Sequence, residues 1–387
     1  MRHTIFLLVP AAIAAILSGC GGKPAAESGE EALAQGDYKA AAKFFRAAVK
    51  GNPSSVPLFY NLGTAQALAG DTAGAISSFR EVLRFTPGDL DASEVLAAEL
   101  RKAGSAENLA ESHELLDFVV GFRQTASEKA RALNSLALTE KALRRNDLAV
   151  ARLVAALTAD PGYATACYNM ADLCAKTLNL PVPAKKAIDA FLASAPEDAA
   201  LATKAVALRD SVAASIPVPY SHATGEEAKG FVRSGAEAYA KKDYAKAEQM
   251  FAKAAEADPL AFEARFNRAN ALLSANRLSE AATSFAEAAA IDPARFDAAF
   301  WQARLAYATG DYGKAIELLT GRVIPSWPDE PQSYLFASYA YAQQQRYYEA
   351  EVFGELYVAK AAKADPKAKT ADFKAWLDKL PKTKFKP

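Results

Sequence analysis

The chain has 387 residues, 51% of them apolar, which is enough for a large buried core and for two domains. Lys plus Arg and Asp plus Glu each number 45, and so neutral a balance argues against a nucleic-acid partner, which favours a basic face.

Residues 1–20 read MRHTIFLLVPAAIAAILSGC. Arg2 supplies a positive start, and Ile5 to Ile16 is a 12-residue apolar run broken only by Pro10. A spanning helix needs about 20 apolar residues, so the run reads as the core of a secretion signal. Leu17-Ser18-Gly19-Cys20 resembles the lipobox of bacterial lipoproteins. The resemblance implies a signal peptide over 1–19, cleavage before Cys20, and lipid on the Cys20 sulfur. Each buried methylene contributes about 0.8 kcal/mol, so several acyl chains give a stable anchor. Cleavage removes Arg2 and no acid, leaving 44 basic residues against 45 acidic ones. Gly21, where an Asp is absent, implies by resemblance to Gram-negative lipoproteins an outer-membrane anchor facing the periplasm. Residues 20–26 read as a short tether.

Beyond the tether a period dominates. Prolines fall at 53 and 87 and again at 259 and 293, and both intervals are 34. Gly36-Asp37-Tyr38 returns as Gly310-Asp311-Tyr312, with a near copy at Lys242-Asp243-Tyr244. Unit 22–55 carries Gly29, Ala41, Phe45 and Pro53. Unit 56–89 carries Phe59, Leu62, Gly63, Gly70, Ala75, Phe79 and Pro87. Gly63 and Ala75 let two helices approach, Phe59, Leu62 and Phe79 fill the space between pairs, and Pro87 ends the second helix. Unit 90–123 keeps Leu96, Ala97, Leu100 and Gly104 but lacks the closing proline, and 118–129 offsets the frame through a longer second helix. Unit 130–163 carries Leu133, Leu136, Ala137, Ala149, Leu153, Ala156 and Pro161.

In unit 164–197, Cys167 and Cys174 take places four and eleven, both core places. On one helix they lie about 10.5 Å apart along the axis. A disulfide needs Cα atoms within about 7 Å, so they read as core thiols. Residues 198–214 carry an apolar helical stripe, Leu201, Val206, Leu208 and Val212, and 216–225 is a proline-bearing linker. Units 228–261, 262–295 and 296–329 follow with Ala247, Phe251 and Pro259, then Ala281, Phe285 and Pro293, then Ala303 and Ala315. Unit 330–366 holds an insertion. Residues 367–380 are expected to form a capping helix with Phe373, Trp376, Leu377 and Leu380 turned inward, ahead of a solvated basic tail of Lys382, Lys384 and Lys386.

This frame resembles the tetratricopeptide repeat over most of 27–366. The resemblance implies an all-α fold, an α-solenoid of helix-turn-helix repeats in two blocks, 27–215 and 226–366, followed by the cap and tail at 367–387. It also implies a groove lined by the first helix of each pair, where a protein or peptide can lie. The family's groove places fall on Tyr60, Asn61, Thr64, Tyr168, Asn169 and Asp172 in the first block, and on Phe266 and Ser338 in the second. The partner-binding candidates are Lys229, Arg233, Tyr239, Asn267, Asn270, Trp301, Arg304, Tyr307, Tyr334 and Tyr341. Asn offers a peptide backbone both a donor and an acceptor, and Arg, Trp and Tyr dominate binding hot spots.

Catalytic signals are missing from the sequence. His113 and His222 fall in different blocks with no nucleophile motif beside either, and there is no phosphate-binding glycine loop, His-Glu-x-x-His run or CxxC. The expectation is no metal, no cofactor beyond the covalent lipid, and no enzyme. The chain reads as a lipid-anchored, periplasm-facing adaptor in an envelope assembly such as pilus, secretion or cell-wall machinery. The alternatives are an envelope enzyme with a composite site and a structural spacer.

Overall fold

The computed structural model describes residues 24–194, 196, 198–216, 224–383 and 385. The signal peptide, Cys20, the linker residues 217–223 with His222, and Lys384 and Lys386 lie outside the described residues. Among the described residues the regular structure is helical throughout, the all-α fold that the repeat resemblance implies. None of these helices is long and apolar enough to cross a membrane.

One compact unit comprises residues 24–128 together with 198–203. It holds three helix pairs: α1 (Ala25–Ala34) with α2 (Tyr38–Gly51), α3 (Val56–Ala69) with α4 (Thr72–Phe85), and α5 (Leu90–Ala103) with α6 (Ala106–Phe122). Ala25 and Ala26 of the expected tether already belong to α1. The offset at 118–129 coincides with α6, which runs for 17 residues.

The second unit takes the described residues of 129–197 and those from 204 onward. Its elements are α7 (Ala126–Ala142, which begins just before it), α8 (Asn146–Ala159), α9 (Ala164–Lys176), α10 (Pro181–Ala193), most of α11 (Ala199–Ser215), α12 (Glu226–Ala240), α13 (Tyr244–Ala257), α14 (Phe262–Ser274), α15 (Leu278–Ile291) and α16 (Phe296–Ala308). Next comes α17 (Tyr312–Leu318), which runs through a π turn (Leu319–Val323) into α18 (Ile324–Ser326). It closes with α19 (Pro331–Gln343), α20 (Tyr347–Ala364) and α21 (Ala371–Leu377). The contacts therefore group residues 129–197 with the last repeats, a different grouping from the two sequence blocks.

The recurring Gly-Asp dipeptide has a local cause. Gly36, Gly70 and Gly310 adopt φ of 78°, 82° and 83°, a left-handed turn that ends the first helix without the Cβ penalty of other residues. The next residue, Asp37, Asp71 or Asp311, then caps the second helix, accepting from the amide three residues on at 2.9–3.0 Å. Lys242, Arg144, Asn276 and Gln345 take the same left-handed conformation without being glycine. After the last three, Arg145, Arg277 and Arg346 replace the capping Asp, and no side chain caps the helix.

Packing within each pair follows one rule. A Cβ added at Gly29, Gly63 or Gly235 would lie within 2.9 Å of the Phe45, Phe79 or Phe251 ring, sixteen residues downstream. The small residue admits the ring, and Ala269 stands in the same place before Phe285. In the third pair the ring's place falls to His113, which is 1% exposed and follows Ser112, whose hydroxyl donates to the Ala97 carbonyl at 2.8 Å. His113 is thus a packing residue.

Cys167 and Cys174 are buried and free, as their core places require. Burial pushes the Cys174 thiol up to about 12, so it stays protonated at neutral pH and is a poor nucleophile. At the C-terminus Phe373 and Leu377 are buried, Trp376 and Leu380 half-buried. Leu377 sits over Gly354, where an added Cβ would meet it at 2.7 Å. The tail is not fully solvated: Lys382 pairs with Glu351 at 2.5 Å, and the Phe385 ring stacks edge-on to Tyr348 at 5.6 Å.

A polar seam joins α8 to α20. Asp147 accepts from the Tyr341 hydroxyl at 2.7 Å and from Arg346 at 3.1 Å, and lies 3.7 Å from the Arg145 guanidinium. Glu349 pairs with Arg145 and, at 2.9 Å, with Arg346. Arg152 reaches the Tyr348 hydroxyl at 2.5 Å and Glu140 at 3.5 Å. Two of the arginines that displaced a capping Asp thus serve this contact instead.

Candidate functional site: the first-helix face of α14, α16 and α19

The first helices of the last three pairs carry a row of rings. Phe266 meets Phe285 edge-on at 5.3 Å, and Trp301 stacks on Phe285 at 6.1 Å and 8°. Tyr307 touches Phe336 at 5.7 Å and Tyr339 at 6.4 Å, and Tyr339 touches Trp376 of the capping helix at 4.7 Å. Phe266, Trp301, Tyr307, Phe336 and Tyr339 are all half-buried, anchored below and reachable above. The Arg304 guanidinium lies over Trp301 at 4.3 Å and over Phe336 at 5.1 Å. Burial lowers its pKa from the ordinary arginine value, with no acid acting against that shift. Asn267 and Asn270 are half-buried on the same helix as Phe266, without a hydrogen-bond partner among the described residues.

Asn267 and Asn270 lie on α14, and Trp301, Arg304 and Tyr307 on α16; the two helices are linked through Phe285, on which both Phe266 and Trp301 pack. Lys229, Arg233 and Tyr239 lie on α12, the first helix of the preceding pair. Lys229 and Arg233 are exposed, Lys229 pairing with Glu226 at 2.7 Å. Tyr239 shares a hydrogen bond with Ser274 at 2.8 Å and packs on Tyr244. In the preceding segments Tyr60 is half-buried against Phe79 and Thr64 is buried. Asn169 donates to Asn134 at 2.7 Å. Burial alone would raise the Asp172 carboxyl, but bonds to Lys141 and Lys176 carry it below the usual range.

Tyr334 and Tyr341 require a correction. Both are fully buried, with hydroxyls spent on the Pro328 carbonyl and on Asp147, so neither lies on an accessible face, and Ser338 is buried too. The cause is a slip of one residue. Pro328 follows Pro293 by 35, and the second helix of that unit has segments of seven, five and three residues, one residue more than the 14 of α15. The π turn absorbs the extra residue. Counted from Pro331, Tyr334 and Tyr341 take places four and eleven, the core places of Cys167 and Cys174. Phe336 and Tyr339 take places six and nine. Those two are the face residues that the uniform period missed, and the Pro293–Pro328 interval was the signal for them.

Among the described residues no cluster of His, Cys, Asp and Glu could hold a metal ion. The face offers flat apolar surfaces, two free amides and one guanidinium, which suit an extended chain better than a reaction.

A search of curated proteins finds no match. Among solved structures the chain is similar to MamA, residue 41 to the end, from Desulfovibrio magneticus RS-1, with 21% identity over 49% of this chain and 97% of that one and a TM-score of 0.38. It is similar to a thermophilic TPR protein of Thermus thermophilus, with 22% identity over 48% and 96% and a TM-score of 0.39. It is also similar to PilW, a widely conserved type IV pilus biogenesis factor, with 15% identity over 62% and 95% and a TM-score of 0.38. A family profile for the tetratricopeptide repeat matches residues 27–89, 233–296 and 300–368, just over half of the chain. With the helix pairs, the Gly-Asp turns and the small-residue-to-ring packing, this profile match shows that the chain belongs to the tetratricopeptide repeat family.

Proposed function

We propose that the chain is a lipid-anchored adaptor that holds an extended segment of a partner protein along the first-helix face of α14, α16 and α19, within an assembly of the cell envelope. Tetratricopeptide repeats are typically interaction scaffolds without catalysis, and nothing in the chemistry of this face departs from that. One observation carries the reading: Asn267 and Asn270 offer unspent amides on the helix whose Phe266 ring, like the half-buried Trp301 ring of α16, packs on Phe285. An amide can donate to and accept from one peptide unit, and an aromatic ring anchored on one side gives area at little entropic cost.

The test is quantitative capture from cross-linked envelopes. The double variant Asn267→Ala, Trp301→Ala is expected to recover less than about a tenth of the partner, a loss near 1.4 kcal/mol or more, with unchanged helix content. Undiminished capture would place the interface elsewhere. The anchor rests on the motif ending at Cys20. Cys20→Ser is expected to abolish incorporation of a labelled fatty acid and to release the protein from the membrane fraction, and a lipid label retained by this variant refutes the anchor.

A further inference from the structure

We infer that the ligand of this face presents an internal acidic side chain whose carboxylate docks on Arg304. The inference rests on reading the face as a peptide site, and it names the chemistry that the site selects.

Arg304 differs from the arginines around it. On the same helices or beside them, Arg265 lies 3.6 Å from Glu287, Arg268 bonds Glu248 at 2.8 Å, and Arg295 holds Glu263 at 2.6 Å and Asp297 at 2.5 Å. Arg304 has no carboxylate or carbonyl partner among the described residues. It is half-buried, with its guanidinium carbon over Trp301, Phe336 and, at 5.7 Å, Phe300. Ring faces attract the cation but accept no N–H donated in the guanidinium plane. A group so placed is already flattened and partly dehydrated, and its unspent edge matches the two oxygens of a carboxylate. Removing a cation from water without such a partner is costly, so an anion arriving there restores what burial took away.

The position in the frame decides between a side chain and a chain end. Arg304 occupies place nine of its repeat, Asn270 the same place one repeat before and Tyr339 the same place one repeat after. Half-buried, ligand-suited side chains therefore continue on both sides of Arg304, and a peptide using all three passes over it. A carboxylate in the middle of a passing chain belongs to Asp or Glu. The half-buried Trp301 and Phe336 rings beside the guanidinium favour an apolar residue next to that acid.

The probe is a display library of short random peptides, each flanked so that no free C-terminus is present, panned on the full chain in detergent. Enriched sequences are expected to share one acidic position beside an apolar one. In capped synthetic copies, Glu→Gln at that position should weaken binding about tenfold or more, the size of one charge-assisted hydrogen-bonded contact. Arg304→Gln should erase the difference between the Glu and Gln peptides, while Arg304→Lys, which keeps charge but not the planar fork, should retain only part of it. If enriched peptides share no acid, if the Glu→Gln copies bind as tightly as the Glu copies, or if Arg304→Gln leaves the Glu/Gln ratio unchanged, the inference is overturned and the peptide reading of the face survives. If nothing is enriched over Asn267→Ala, Trp301→Ala, the peptide reading fails and takes the inference with it.

Discussion

Phe285→Ala is expected to cost about 3–5 kcal/mol and to loosen α14, α15 and α16 ahead of the rest of the second unit. Phe285 is fully buried, with Phe262, Ala269, Leu272, Ala281, Ala288, Ala289, Ala298 and Leu305 in its cluster. Five of those eight neighbours are alanines. Alanine has no rotamer with which to fill a void, and the helices that carry it are held apart by the remaining large side chains. The cavity therefore persists, which puts the cost toward the upper part of the range. Repeat stacks are stabilised by nearest-neighbour terms, so the loss stays local. Hydrogen exchange should show faster opening across residues 262–308, with α1 to α4 unchanged. Uniform acceleration over the chain, or a loss below about 1 kcal/mol, would contradict this account of the packing. The variant should also weaken ligand capture, because Trp301 stacks on the ring that is removed.

Asp147→Ala is expected to destabilise the second unit by about 3–5 kcal/mol, whereas Asp147→Asn should cost roughly half of that. The Asp147 side chain is 18% exposed and serves three groups from two regions of sequence. Its removal leaves the buried Tyr341 hydroxyl without an acceptor and leaves Arg145 and Arg346 to share Glu349. Burial first, and then Asp147, push the Tyr341 pKa far up, so Tyr341 remains a neutral donor that needs an oxygen. Asn keeps that oxygen and loses only the charge. Denaturation monitored by Trp fluorescence, with limited proteolysis at the α8–α20 contact, separates the two variants. Equal losses for Ala and Asn would mean that charge, and not the tyrosine's acceptor, holds the seam.

The repeat unit was legible because it is enforced by contacts sixteen residues apart. Gly63 and Phe79, or Gly235 and Phe251, constrain each other within a single pair, so the pattern survives in one sequence. The Gly-Asp turns were legible for the same reason. The seam was not: Tyr341 and Arg346 lie 194 and 199 residues from Asp147, and a period describes neighbours only. The arginines standing where an Asp cap was due were a trace of it. On α14 and α16 the frame selected Asn267, Asn270, Trp301, Arg304 and Tyr307, all of which stand half-buried. On α19 the uniform count of 34 selected two core tyrosines and passed over Phe336 and Tyr339. Lys382 and Phe385 went unrecognised because a lysine-rich end has the composition of a solvated tail, and their partners Glu351 and Tyr348 are ordinary surface types.

The π turn at Leu319–Val323 bears on how such a chain tolerates lengthening. One additional residue in a regular α-helix turns everything after it by about 100°, enough to swing a buried side chain into solvent. A turn closed by i→i+5 bonds takes in a residue while advancing the helix by nearly the same angle as before. Azimuth is thereby conserved across the insertion, and Ile324 and Pro325 beyond it remain buried. The widened turn works as a phase compensator, letting the sequence grow by one residue while the packing stays in step.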